Sequence, residues 1–256
     1  MRRPICFNTL RGLGQAMVVD IAADALCALL TLVSLIPAID ESPLDLAYVL
    51  SYLQWTAQVV GVASWAVALV SLTRLATSGL AFARARTWYV VRIIVFAAST
   101  VVDSPVTIQL DGLIAGSLDI TQILLGLLSC LLGLVVLPLL PSLTTRETLE
   151  GCALTLESCG VLEQARANRR AAKRFIAASI ASIVSLDSSL ALIILPAATL
   201  FAELRASSLD LLAAWSLALL GAALLVLALQ IVRLVTWSRA TACVLRTCNT
   251  LENLAS

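Results

Sequence analysis

Asp20 and Asp24 stand one helical turn apart inside an otherwise uncharged apolar run from Ala16 to Ile39. Gln54 and Gln58 repeat that spacing in the next run, and Asp103 and Asp187 interrupt two later ones, beside Ser104 and Ser188-Ser189. Carboxylates in lipid can bind a cation or carry a proton, and carboxamides can add neutral ligands. A charged aspartate at the bilayer centre costs about 2.5–3.5 kcal/mol on insertion scales, so such groups pair, face a cavity or stay protonated. These six residues are the candidates for an ion site or polar pathway. The same groups also serve as interhelical hydrogen-bond glue, and spacing does not choose between the two roles. Arg92 and Arg233 can snorkel to the inner surface or neutralise Asp20 or Asp24.

Other chemistry is poorly represented. Histidine is absent, and there is no phosphate-binding glycine loop, HExxH or GxSxG. No catalytic residue and no cofactor is expected. Seven cysteines include Cys152/Cys159 and Cys243/Cys248, which could place four sulfurs together. Neither pair has the close spacing of a structural zinc site, so no metal is assigned. Net charge is +1, which gives no footprint for nucleic acid.

The elements that must position these residues are membrane helices. The chain has 256 residues, 60% of them hydrophobic and only 13% charged, too apolar for an ordinary soluble domain. A span needs about 20 mostly apolar residues. Six runs qualify: Ala16–Ile39, Leu46–Leu72, Trp88–Gln109, Ile120–Leu140, Phe175–Phe201 and Leu211–Val235. Backbone polar groups find no water in lipid, and the runs lack the alternation of a barrel, so they are read as helices. The first is read as a permanent span, not a cleaved signal, because Asp20 and Asp24 interrupt it.

Charge sorts the connections. Arginines gather at the N-terminus, at Arg74 to Arg86, at Arg166 to Arg174 and in the tail, whereas Asp40, Glu41, Asp111 and Glu203 mark the opposite ends. The positive-inside rule predicts both termini in the cytoplasm. Lys173 is the one lysine beside sixteen arginines, which fits a GC-rich genome. The expected location is the cytoplasmic membrane of a bacterium.

A short motif recurs where apolar runs meet: Ser42-Pro43-Leu44-Asp45, Gly116-Ser117-Leu118-Asp119 and Ser207-Ser208-Leu209-Asp210. Asp45, Asp119 and Asp210 suit the first turn of a helix, where free N–H groups and the dipole favour an acceptor. Three copies predict three hairpin units, 1–86, 87–174 and 175–256, within one polytopic domain. Leu156–Glu163 also resembles Leu245–Glu252. Mitochondrial carriers share a three-hairpin plan, but their proline–acid–base signature does not follow Pro37, Pro105 or Pro196. Between spans, Leu149, Cys152, Leu156 and Cys159 recur at helical spacing, with Glu150, Glu157 and Glu163 off that stripe. This predicts a short amphipathic cytoplasmic helix lying on the bilayer or on a partner, and the tail repeats the design at Val244, Leu245, Cys248 and Leu251.

The sequence therefore predicts an all-α integral membrane protein. The expected function is membrane transport, as a transporter or permease subunit with a pathway lined by the intramembrane acids. The alternative is a non-catalytic scaffold or assembly subunit of a larger membrane complex. Expected partners are the lipid bilayer and a second copy, a separate cytoplasmic ATPase or a larger membrane complex.

Overall fold

A computed structural model describes residues 7–34, 46–78, 81–114, 131–203 and 209–254, with side chains over 8–30, 48–78, 81–99, 131, 135–185, 221–222 and 224–254. Its helices are α1 (Phe7–Ser34), α2 (Leu46–Thr77), α3 (Ala83–Ile114), α4 (Leu137–Ser158), α5 (Leu162–Glu203) and α6 (Leu209–Asn253). No strand occurs among the described residues. Alanine and leucine, good helix formers, fill these runs. Among the described residues, three stretches are long and apolar enough to cross a membrane: Asn8–Leu30, Tyr48–Thr77 and Leu224–Asn253. Their length and composition mark the chain as a helical membrane protein.

α1 and α2 pack as an antiparallel pair. Cys27 Sγ donates to the Gln54 carbonyl at 3.8 Å, Gly61 faces Ala23, and Gly12 faces Ser71. Position numbers fall on α1 as they rise on α2. A Cβ at Gly61 would sit 3.6 Å from that of Ala23, so the small residues set the approach of the two backbones.

The contacts divide the chain into two compact bodies. One comprises residues 1–94, 143–173 and 237–256; the other comprises 95–142 and 174–236. In the second, residues Leu131–Val136 are wound as a π-helix immediately before α4. Pro138 and Pro141 follow. Each lacks an N–H and crowds the carbonyl four residues earlier, which loosens that turn.

The short amphipathic helix expected near Leu149 is not a separate element. It is the end of α4, and the basic stretch after it is the start of the 42-residue α5. Most of the stripe is covered by the protein itself, with Cys159 half-buried at its end. Leu149, Cys152, Ala153 and Leu156 are fully buried in the first body, as are Val244, Cys248 and Leu251 from α6. The tail is likewise part of one 45-residue helix.

The turn between α4 and α5 has a clear local cause. The Val161 N–H donates to the Leu156 carbonyl at 2.9 Å, and the Gly160 N–H donates to Glu157 at 3.0 Å. Gly160 has φ +83°, completing a Schellman cap with Leu156 and Val161 as its apolar pair. The resembling stretch Leu245–Glu252 takes no such turn, because Asn249 lies inside α6. No atom lies within 4 Å of a Cβ at Gly160, so glycine is needed there for its dihedral and not for space. Gly160→Ala is expected to cost about 1 kcal/mol, read as a lower melting temperature in detergent. An unchanged midpoint would mean that the cap contributes nothing.

Arg169 on α5 then clamps α4. Its Nε and Nη2 donate to Glu150 Oε1 at 3.1 and 3.0 Å, and its Nη1 to Glu157 Oε1 at 2.5 Å. Glu150 and Glu157 are two turns apart on one face, which is why one guanidinium reaches both. The two carboxylates push the Arg169 pKa up from its ordinary value. All three side chains are about a third exposed, so the clamp orients the hairpin more than it stabilises it.

Candidate functional site

Of the candidate acids, Asp20 has the most fully defined surroundings. It lies on α1 inside the candidate span Asn8–Leu30 and is 4% exposed. Arg92 of α3, also 4% exposed, meets it with a fork: Nη1 donates to Oδ2 at 2.6 Å and Nη2 to Oδ1 at 3.0 Å. Trp65 of α2 donates its indole N–H to Oδ1 at 2.6 Å. The Arg92 guanidinium carbon also stands 4.1 Å from the centre of the Trp65 ring.

Three helices thus converge on one point, each supplying one residue. Arginine suits this place because its planar fork matches both carboxylate oxygens and its face stacks on an aromatic ring. The three contacts desolvate the pair and cancel its charge in the same step. A lone aspartate or arginine at this depth would be costly; together they form a neutral, hydrogen-bonded unit. Tyr89, one turn before Arg92, is buried and hydrogen-bonded to Thr144, tying α3 to the start of the 143–173 segment.

This arrangement has a definite chemical capacity. Both Asp20 oxygens are engaged, Oδ1 by two donors and Oδ2 by one, so a proton or cation at the carboxylate competes with Arg92 and Trp65. The cluster is a closed, neutral lock whose opening would expose one acid and one base inside the membrane segment.

The other candidates divide as follows. Asp24 is half-buried one turn further along α1. Gln54 is half-buried and offers its backbone carbonyl to Cys27, while Gln58 is exposed. The Asp20 carboxylate is held by Arg92 and Trp65. Arg233 is buried and donates to Gln230 Oε1 at 3.2 Å. Asp103 lies within α3, Asp187 within α5 and Asp210 within the first turn of α6, and their side chains lie outside the described residues. Asp45 and Asp119 lie outside the described residues altogether.

The cysteine pairs come together only in part. Cys152 has Cys243 and Cys248 as neighbours, but no group able to hold a metal occurs among the described residues. Burial pushes the Cys152 thiol up to about 12, so it stays protonated and inert at neutral pH.

Sequence reasoning missed Trp65. A tryptophan in an apolar run reads as lipid-facing bulk or interface anchor, and its N–H gains meaning only once α1 lies across from it. No family model, curated protein or solved structure matches the chain.

Proposed function

We propose that the chain is a membrane transport protein, a transporter or permease subunit of a bacterial cytoplasmic membrane. The reading includes six spans in three hairpin units and both termini in the cytoplasm. One observation carries it: Asp20, buried within a candidate membrane span, is met by the buried Arg92 of α3 through a contact that a proton or cation can compete for. In this mechanism a cation or proton takes the place of Arg92 on Asp20, and the freed guanidinium keeps the Trp65 ring, on which it already stacks, as its partner. Asp103, Asp187, Asp24, Gln54 and Gln58 are the further residues this reading assigns to the pathway. α5 and α6, about 63 and 68 Å long at 1.5 Å per residue, exceed the thickness of a bilayer. Their excess length supports a cytoplasmic extension that a separate ATPase could engage.

A second reading is a non-catalytic scaffold or assembly subunit of a larger membrane complex. It draws on the same cluster, since an acid held by Arg92 and Trp65 also serves as a pin between three helices.

Labelling separates the two. Asp187→Cys in a background lacking the native cysteines is expected to react with a small, membrane-impermeant thiol reagent applied from the water. Reaction blocked by a saturating amount of a larger reagent would fix the route's width. No reaction at position 187 in intact membranes, with full reaction after denaturation, would overturn the transport reading in favour of the scaffold.

A further inference from the structure

The geometry points to the groove between the start of α5 and the end of α6 as a binding site for a phosphate ester that carries free hydroxyl groups. The groove holds about 320 Å³, within the range of small-ligand sites, and its walls include Gln164, Asn168, Arg246, Asn249 and Thr250. The open face of α5 beside it shares Gln164 and Ala167 and adds Arg166, Arg170 and Glu163. All of these residues belong to the first body.

Charge selects an anion. Arg166, Arg170 and Arg246 line the combined surface against one acid, Glu163. Guanidinium forks match phosphate oxygens, and Lys173 and Arg174 carry the basic stretch on toward the apolar run at Phe175.

A buried carbonyl selects the hydroxyl. Asn168 is 1% exposed, and its amide donates to Thr247 Oγ1 at 3.0 Å. Its Oδ1 has no hydrogen-bond partner among the described residues. One turn away, Thr250 donates to Gln164 Oε1 at 2.8 Å, forming the outer rung of the same wall. A buried acceptor without a donor is destabilising, and an O–H from a bound ligand satisfies it. An ammonium group is the poorer donor here, because three arginines repel it. The matching chemistry is a glycerol phosphate, supplied either by an anionic lipid headgroup or by the free ester.

The test uses the full chain. Binding of sn-glycerol 3-phosphate is measured in detergent, and retention of phosphatidylglycerol is measured after exchange into phosphatidylcholine nanodiscs. Arg246→Gln and Ala167→Trp are each expected to weaken binding by about tenfold or more, the second because its ring fills the groove from an exposed position. Asn168→Leu should weaken binding too, and Ala167→Trp keeps the test valid if that variant fails to fold. Binding of the free ester assigns the site to a soluble ligand; retention of the lipid alone assigns it to a headgroup. Binding of neither probe, or equal binding by wild type, Arg246→Gln and Ala167→Trp, overturns the proposal.

Discussion

Arg92→Met is expected to remove about 3–5 kcal/mol of stability, the largest loss of any single change considered for this chain. The substitution leaves Asp20 4% exposed inside an apolar segment without its cation, so the carboxyl is either buried unpaired or forced to take up a proton, with the Trp65 N–H still donating to it. It also deletes the cation that stacks on that ring at 4.1 Å. Asp20→Leu should cost a similar amount, since it strands the guanidinium instead. The double variant Asp20→Leu/Arg92→Met is the decisive measurement. Replacing both partners of a buried ion pair with apolar groups of similar volume is often neutral, so the double variant should recover most of the loss. Unfolding in mixed micelles of increasing denaturing detergent gives the three values on one scale. A double variant as unstable as the sum of the singles would show that the pair is not a coupled unit. Recovery of stability with loss of transport would assign the ion pair to mechanism, and recovery with no loss of function would assign it to assembly.

Gly151→Ala is expected to cost about 1–3 kcal/mol through overpacking. A Cβ at this position would stand 2.7 and 2.8 Å from two ring carbons of Phe82 and 2.9 Å from the Ala81 carbonyl oxygen. Phe82 is among the largest fully buried side chains, so its ring has no vacant space to rotate into, and the carbonyl belongs to the backbone. The α4 helix can relieve the clash only by moving away from the 81–82 segment. Gly14 supplies the control. A Cβ there meets Leu245 Cδ2 at a nominal 2.5 Å, closer than anything at Gly151, yet that atom is the free end of a flexible side chain. Gly14→Ala should therefore change stability by less than about 1 kcal/mol, because the leucine changes rotamer. Melting temperatures of the two alanine variants in one detergent check the contrast. Equal effects would mean that the close approach at Gly151 does not constrain the packing.

Local pattern carried most of what could be read from the chain itself. Runs of apolar residues longer than a bilayer is thick can satisfy their own backbone only as helices, so the helical class followed from hydropathy alone. The antiparallel pairing of α1 and α2 was legible in the same way, because a short connection leaves two apolar helices little other choice. Asp20 was legible as a residue needing compensation, and Arg92 as one of two arginines able to supply it. Gly160 was visible only as one letter in a stretch resembling another, and its left-handed dihedral distinguishes that stretch from the straight helix at Asn249.

The tertiary structure decided the partners. Asp20 meets residues 45 and 72 positions away in the chain, and no helical periodicity encodes contacts at those separations. It chose Arg92 for Asp20 and brought in Trp65. It also decided what the stripe of Leu149, Cys152 and Leu156 faces. An apolar stripe states that a helix must be covered; the covering surface is a property of the whole packing, and here protein supplies it. The orphaned carbonyl of Asn168 belongs to the same class of fact, because whether an amide is buried and partnered depends on the helix beside it and not on its own neighbours in sequence.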